Sequence, residues 1–320
     1  MTTLSDLHAA QSRLKNVTTR TTLIPFLLCA DDPRRLYLKP ENQQPIGAFK
    51  LRGAYNKIAS LPEDDRKRGV ISYSSGNHAQ GVAYAARALN TKAVIVMPNN
   101  APEIKRSATA KLGAEIVLVG PGSDERKDKA EALAAENGYV IVPPYNDEKI
   151  IAGQGTVGLE ILEDLPAVDL VLAPVGGGGL ISGVAAAVKL TNPEIKVIGV
   201  EPELAADAQA SLRAGKIVPW PADKVSRTLA DGLRTQSIGS INFQHIRSYV
   251  DDIITVTEDE IQQAMKYLSA NEETIAEPSG AVATAGFIFH AKEISETRLA
   301  VAIISGGNIE PSMLKDLRQS

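Results

Sequence analysis

The chain has 320 residues, 44% of them hydrophobic and 22% charged, with a formal net charge of -4. That length and balance suit a folded protein with room for two packed lobes and exclude a disordered or fibrous chain. Acidic and basic residues are mixed along the sequence, which leaves no basic stripe for a nucleic-acid backbone, and no apolar stretch approaches the roughly 20 residues of a membrane helix.

In chain order, the first apolar run is Leu23 to Ala30, too short, interrupted by Pro25 and without a small residue before Cys29, so it does not read as an export signal. A cytoplasmic protein is expected. Cys29 is the single cysteine, so no intramolecular disulfide or thiolate zinc site can form, and it is expected as a small core residue. His8, His78, His245 and His290 lie too far apart in sequence for metal-ligand spacing. After an extended stretch containing Pro40 and Pro45, GAFKLRGAY (Gly47 to Tyr55) sets Lys50 near the start of a helix. A lysine there is ordinarily a solvated charge; with its pKa lowered it would form a Schiff base with an aldehyde cofactor.

From residue 69 onward short β-branched runs alternate with longer amphipathic segments, the rhythm of βα units on a parallel sheet. Strands are expected at Gly69 to Tyr73, Ala93 to Met97, Glu115 to Val119, Tyr139 to Val142, Asp169 to Ala173, Lys196 to Val200, Asp252 to Val256 and Leu299 to Ile304. Most are too apolar to face water on either side, so helices are expected on both faces. Thr257 followed by Glu260 predicts a capping box, and Gly113 and Gly138 stand where helix C-caps belong. No linker divides the chain, so a second lobe must be inserted into the first: residues 68–146 are expected as a smaller lobe within a larger one formed by 1–67 and 147–320.

Three loops follow expected strands. SSGNHAQ (Ser74 to Gln80) opens an alanine-rich helix, where Ser74, Ser75, Asn77 and His78 either cap the helix or meet a bound carboxylate. PVGGGGLISG brings the backbone amides of Gly176, Gly177, Gly178 and Gly179 to the positive end of a helix dipole and predicts a phosphate site. A dinucleotide fingerprint fails there, because Gly176 and Gly178 lead to Ile181 and Gly177 and Gly179 to Ser182. SGGN (Ser305 to Asn308) ends the last strand in the same way, and loops beyond the carboxyl ends of parallel strands converge on one crevice.

GAFKLRGAY, SSGNHAQGVA, AGQGTVGLE from Ala152, GGGG, AEPSGA from Ala276 and SGGN together resemble the fold-type II pyridoxal-phosphate enzymes. The resemblance runs in order from Arg20 to Asn308 and is to the serine racemase and serine/threonine dehydratase branch. It implies an α/β fold similar to the tryptophan synthase β subunit, with two open, twisted, mostly parallel sheets covered by helices, and it points to a homodimer. It makes Lys50 the Schiff-base lysine and general base, Asn77 the partner of the ring hydroxyl, Gly176 to Gly179 the phosphate cradle, Ser305 the partner of the pyridine nitrogen and Phe49 a neighbour of the ring. The implied reaction eliminates the hydroxyl of an L-serine or L-threonine type amino acid and releases a 2-keto acid and ammonia.

Ser75 sharpens that expectation: plain threonine deaminases usually carry alanine there, and a serine on the opposite face implies a second acid/base and some serine racemisation, unless it binds the substrate carboxylate alone. Glu201, the backbone carbonyl of Ala205 and Asp207 match the hard-cation site of the racemase-like branch, which suits Mg²⁺, Ca²⁺ or Mn²⁺; two idle surface carboxylates are the plain alternative. Arg126, in SDERKDKAEALAAE, belongs either to a solvated helix face or to a substrate with a second carboxylate, which would make the enzyme a threo-3-hydroxyaspartate ammonia-lyase. A non-catalytic sensor of a phosphate ligand on the same fold is the reading from another class.

Overall fold

The computed structural model of the protein describes residues 1–27, 33–74, 76–101, 103–120, 122–294 and 297–319. Its strands are Ile24–Phe26 (β1), Arg35–Pro40 (β2), Val70–Tyr73 (β3), Ala93–Pro98 (β4), Glu115–Val119 (β5), Val140–Ile141 (β6), Leu170–Pro174 (β7), Lys196–Pro202 (β8), Asp252–Val256 (β9) and Leu299–Ile304 (β10). They form a six-stranded sheet in the order β1-β2-β10-β7-β8-β9 and a four-stranded sheet in the order β5-β4-β3-β6. Every pairing is parallel except β1 with β2, so the α/β class with two mostly parallel sheets is as expected.

Period-two alternation divides the side chains of the larger sheet between two cores. Leu170 and Leu172 of β7 and Ala300 and Ala302 of β10 enter one. Val171, Ala173, Val301 and Ile303 enter the other. Both faces are therefore covered, which is why β7 and β10 carry no polar residue at all. β5 differs: as an edge of the smaller sheet it leaves Glu115 and Leu118 exposed.

Two strands depart from the sequence expectation. β1 pairs Pro25 with Tyr37 at the sheet's edge, where a missing amide proton costs no ladder bond. β2 lies next to β10 although it contains Lys39 and ends in Pro40. The charge on Lys39 is fully buried because its Nζ lies 2.6 Å from Glu160 Oε2 and donates to the Thr21 carbonyl at 2.7 Å. The predicted capping box forms, with Glu260 N donating to Thr257 Oγ1 and Thr257 N to Glu260 Oε2, and Gly138 is a left-handed C-cap at φ +71.

Behind the larger sheet the helices Glu148–Asp164 and Gly179–Thr191 cross at glycines. A Cβ on Gly183 would stand 2.3 Å from the Ile151 carbonyl oxygen and 2.5 Å from Gly155 N, so the backbones touch without side chains between them. Gly179 through Val188 are buried without interruption, as an all-round apolar helix must be. This contact fixes the helix whose first turn enters the cavity described next. No described helix is long and apolar enough to cross a membrane.

Candidate active site

A cavity of about 400 Å³ opens where loops after β3, β7 and β10 meet the start of the helix Lys50–Ala59. The backbone before Lys50 is tied to the β10 loop: Phe49 N donates to the Ser305 carbonyl at 3.1 Å and Gly307 N to the Gly47 carbonyl at 2.9 Å. Gly47 takes φ +72, a left-handed conformation that glycine adopts without a Cβ clash. Lys50 Nζ donates to the Pro144 carbonyl at 2.9 Å and lies 5.2 Å from the Phe49 ring centroid. Desolvation lowers its pKa to about 8, so a useful fraction is neutral amine near physiological pH.

The glycine loop lies across this cavity. Gly178 sits at φ +91, and a Cβ on Gly177 would fall 2.3 Å from the Tyr145 ring, so neither position admits a side chain without movement. Removing side chains there leaves the amides at the start of the helix Gly179–Thr191 directly against the cavity, the arrangement that favours an anion. Tyr145 is a wall residue the sequence reading missed; its burial raises its hydroxyl pKa to about 12 and keeps it neutral.

Beyond β3, Ser74, Asn77 and His78 line the same cavity. Ser75 lies outside the described residues, as does Cys29. Asn77 Nδ2 donates to Glu277 Oε1 at 2.6 Å, and Asn77 Oδ1 accepts from Asn308 Nδ2 at 2.7 Å. His78 Nε2 is 3.0 Å from the Val142 carbonyl, which can only accept, so the ring proton is assigned to Nε2. Its Nδ1 is buried without a hydrogen-bond partner among the described residues, and desolvation followed by the Lys50 charge pushes the pKa down to about 3. His78 is therefore a neutral wall residue rather than a helix cap.

Ser305, at the end of β10, is buried and lines the cavity with its Oγ donating to the Ser279 carbonyl at 3.3 Å. Phe49 and Arg126 complete the group of sequence candidates found at this cavity. Arg126 is half-buried and desolvation lowers its pKa, which sets it apart from the exposed Asp124, Glu125 and Lys127 of the same helix, Ser123–Asn137. Two charged features were not singled out by the sequence reading. Lys105 Nζ and Asp231 Oδ2 meet at 2.7 Å at the cavity wall, 126 residues apart in the chain. Glu277 lies in the AEPSGA motif but owes its place to a partner 200 residues away.

Glu201, Ala205 and Asp207 do not line the cavity. They form a separate buried group at the end of β8. Glu201 accepts from Ala208 N at 3.0 Å and Gln209 N at 2.8 Å, whereas neither carboxylate oxygen of Asp207 receives a well-formed hydrogen bond among the described residues. Burial and the neighbouring Asp207 raise the Glu201 pKa well above the carboxylate range, and burial raises that of Asp207 to about 7. The idle surface carboxylates of the plain alternative are excluded by full burial of both residues. Among the described residues no three His, Cys, Asp or Glu side chains converge as a metal site.

Comparison with known proteins gives this geometry a lineage. The chain is 46% identical over 317 residues to an L-threonine ammonia-lyase of Thermotoga maritima, covering 98% of this chain and 77% of that protein. It is 40% identical over 309 residues to an L-threo-3-hydroxyaspartate ammonia-lyase of Saccharomyces cerevisiae, covering 96% of this chain and 94% of that one. The structure of maize serine racemase superposes with a TM-score of 0.92 at 36% identity, covering 98% of this chain and 96% of the other. Residues 15–306 match the family described as pyridoxal-phosphate dependent enzyme, so the chain belongs to that family.

Proposed function

We propose that the protein eliminates the β-hydroxyl of L-serine or L-threonine type amino acids, yielding a 2-keto acid and ammonia, and racemises serine as a side activity. The observation that carries this reading is a lysine of lowered pKa facing a side-chain-free helix start across one cavity. The residues fit the cofactor: Gly176 to Gly179 would hold its phosphate, Asn77 its ring hydroxyl, Ser305 its ring nitrogen, and Phe49 would lie against the ring. The cofactor, when bound, supplies the electron sink that makes the substrate Cα proton acidic.

This chain's own residues then manage protons and charge. Lys50, neutral above about pH 8 in the free protein, accepts the Cα proton at Nζ and can return it to the departing hydroxyl. Ser305 offers the ring nitrogen a hydroxyl rather than a carboxylate, which would not hold that nitrogen protonated and would leave the bound cofactor a milder electron sink, suited to loss of a β-substituent. Ser75 is proposed as the second acid/base for racemisation, and Ser74 and His78 as neighbours of the substrate carboxylate. Assay of L-serine, D-serine, L-threonine and both 3-hydroxyaspartate diastereomers tests the reading. Keto acid from L-serine, with D-serine that disappears in Ser75→Ala, is expected; turnover confined to hydroxyaspartate would overturn the substrate assignment.

The second reading, a 3-hydroxyaspartate ammonia-lyase, draws on Arg126 at the cavity wall. If it recognises a second carboxylate, Arg126→Ala should lower kcat/KM for hydroxyaspartate by about 10- to 100-fold and leave that for serine within a few-fold. Equal loss on both substrates would remove the charge-recognition role.

We assign a Mg²⁺, Ca²⁺ or Mn²⁺ ion to Glu201, the Ala205 carbonyl and Asp207, with water completing the shell. Support comes from the orphaned Asp207 carboxylate buried beside Glu201, a hard-oxygen set that no cationic side chain among the described residues pairs with. Adding Mg²⁺ at a hundred-fold excess over its Kd should stabilise the fold by ~2.7 kcal/mol and raise Tm. A Tm unmoved by all three cations in wild type, or moved equally in Asp207→Asn, would sink the site. The further proposals are a small lobe at 68–146 inserted between 1–67 and 147–320, a cytoplasmic location and a homodimer, the commonest symmetric assembly, which sedimentation tests.

A further inference from the structure

Glu277 is the N-cap residue of the helix Pro278–Phe289, yet its side chain makes no capping bond to that helix. The carboxylate turns instead to Asn77, accepting from Nδ2 at 2.6 Å, and is buried at the wall of the cavity. Its enclosure is built: a Cβ on Gly306 would lie 2.4 Å from Glu277 Oε1 and 3.2 Å from Asn77 Nδ2, so the SGGN loop has no side chain at the point where the two meet. Asn308, from the same loop, supplies the donor to Asn77 Oδ1 at 2.7 Å.

A primary amide has two N–H donors and one oxygen. With one N–H taken by Glu277 and the oxygen engaged by Asn308, a flip would cost both bonds, and one N–H is left for the cavity. We propose that Glu277 is a positioning residue for Asn77, fixing the amide so that an N–H rather than a carbonyl meets the ring oxygen of the cofactor. The inference rests on the cofactor reading above. It adds a polarity: an ionised Glu277 draws on the shared amide and strengthens the outward N–H as a donor, and a protonated one does so less.

The charge state is adjustable near neutrality. Burial and then Asp231 raise the Glu277 pKa to about 7, opposed by the Asn77 bond and by Lys105. Those two charged groups, on the segment Asp231–Leu233 and the helix Glu103–Lys111, pair with each other at 2.7 Å. The carboxylate is protonated below about pH 7 and ionised above it, so the ring oxygen meets a stronger donor on the alkaline side.

The test is the pH dependence of the absorption spectrum of the protein loaded with pyridoxal phosphate. Wild type should show a change in the ratio of its visible to near-ultraviolet bands with a midpoint near 7. Glu277→Gln keeps an acceptor for Asn77 without the charge, and should abolish that midpoint while Tm stays within a few degrees. Asp231→Asn, which removes the raising charge and frees Lys105, should move the midpoint down by at least about half a pH unit. A midpoint retained in Glu277→Gln, or unmoved in Asp231→Asn should the first variant not fold, overturns the assignment while leaving the cofactor reading intact. A wild-type protein with no lysine-linked visible band overturns both.

Discussion

Lys50→Ala is expected to lose elimination activity by at least about 10³-fold, and to lose the visible band of lysine-linked cofactor, while folding normally. Folding should survive because, among the described residues, Lys50 Nζ makes one hydrogen bond, to the Pro144 carbonyl, and alanine suits the first position of the helix Lys50–Ala59. Lys50→Arg is the sharper control. It keeps a cation facing the cavity but is never neutral, so it should be as inactive as alanine if the amine acts as nucleophile and base, and partly active if only charge is needed. The lowered pKa adds a rate prediction: association of free protein with pyridoxal phosphate should rise about tenfold per pH unit below about 8 and flatten above it. Residual turnover above about 1% in Lys50→Ala, or an association rate flat from pH 6 to 9, would show that another group does this work.

What could be read from the sequence divides along a physical line. β5 and β9 fall at the bounds the sequence suggested, and the glycine loop after β7 announces itself, because each is written in consecutive residues: an apolar run, or four glycines that no ordinary turn needs. β2 was not legible. A lysine followed by proline at the end of RLYLKP argues against a buried strand until Glu160, 121 residues later, is known to neutralise it. The same holds at the cavity. Lys50, Asn77, Gly176 to Gly179 and Ser305 lie in motifs, whereas Tyr145, Asp231 and Lys105 owe their places to long-range packing against Gly177 or to each other. Glu277 stood inside a recognised motif, but its meaning depends on which side chain it meets. Composition and spacing report local preference; the pairing of buried charges is set by the tertiary fold.

Arg52→Met should destabilise the protein by about 3–5 kcal/mol, far more than loss of an ordinary surface ion pair. Arg52 Nε lies 2.7 Å from Glu41 Oε2 and Nη1 lies 2.7 Å from Glu160 Oε1, and the exposures of these three side chains are 1%, 0% and 8%. Lys39 makes the second contact to Glu160, so the cluster carries two positive and two negative charges with little water to screen them. Among the described residues, removing Arg52 leaves buried Glu41 with hydrogen bonds from Thr21 Oγ1 and Gln44 Nε2, and Glu160 with Lys39. Neutralising the acids should restore part of the loss: adding Glu41→Gln and Glu160→Gln to Arg52→Met removes the stranded charges, and urea unfolding should recover at least about 1–2 kcal/mol relative to Arg52→Met. The pH dependence has a fixed sign. For Glu160, desolvation acts upward but the Arg52 and Lys39 charges prevail and lower the folded pKa below its usual value. Its contribution is therefore present above the ordinary carboxylate range and lost as pH falls through the folded pKa, so wild type and Arg52→Met should converge in stability in acid. Because Arg52 lies two residues after Lys50 on one helix, the same substitution should also weaken cofactor retention before global unfolding. Equal stability of Arg52→Met and wild type at neutral pH would mean that the cluster serves geometry alone.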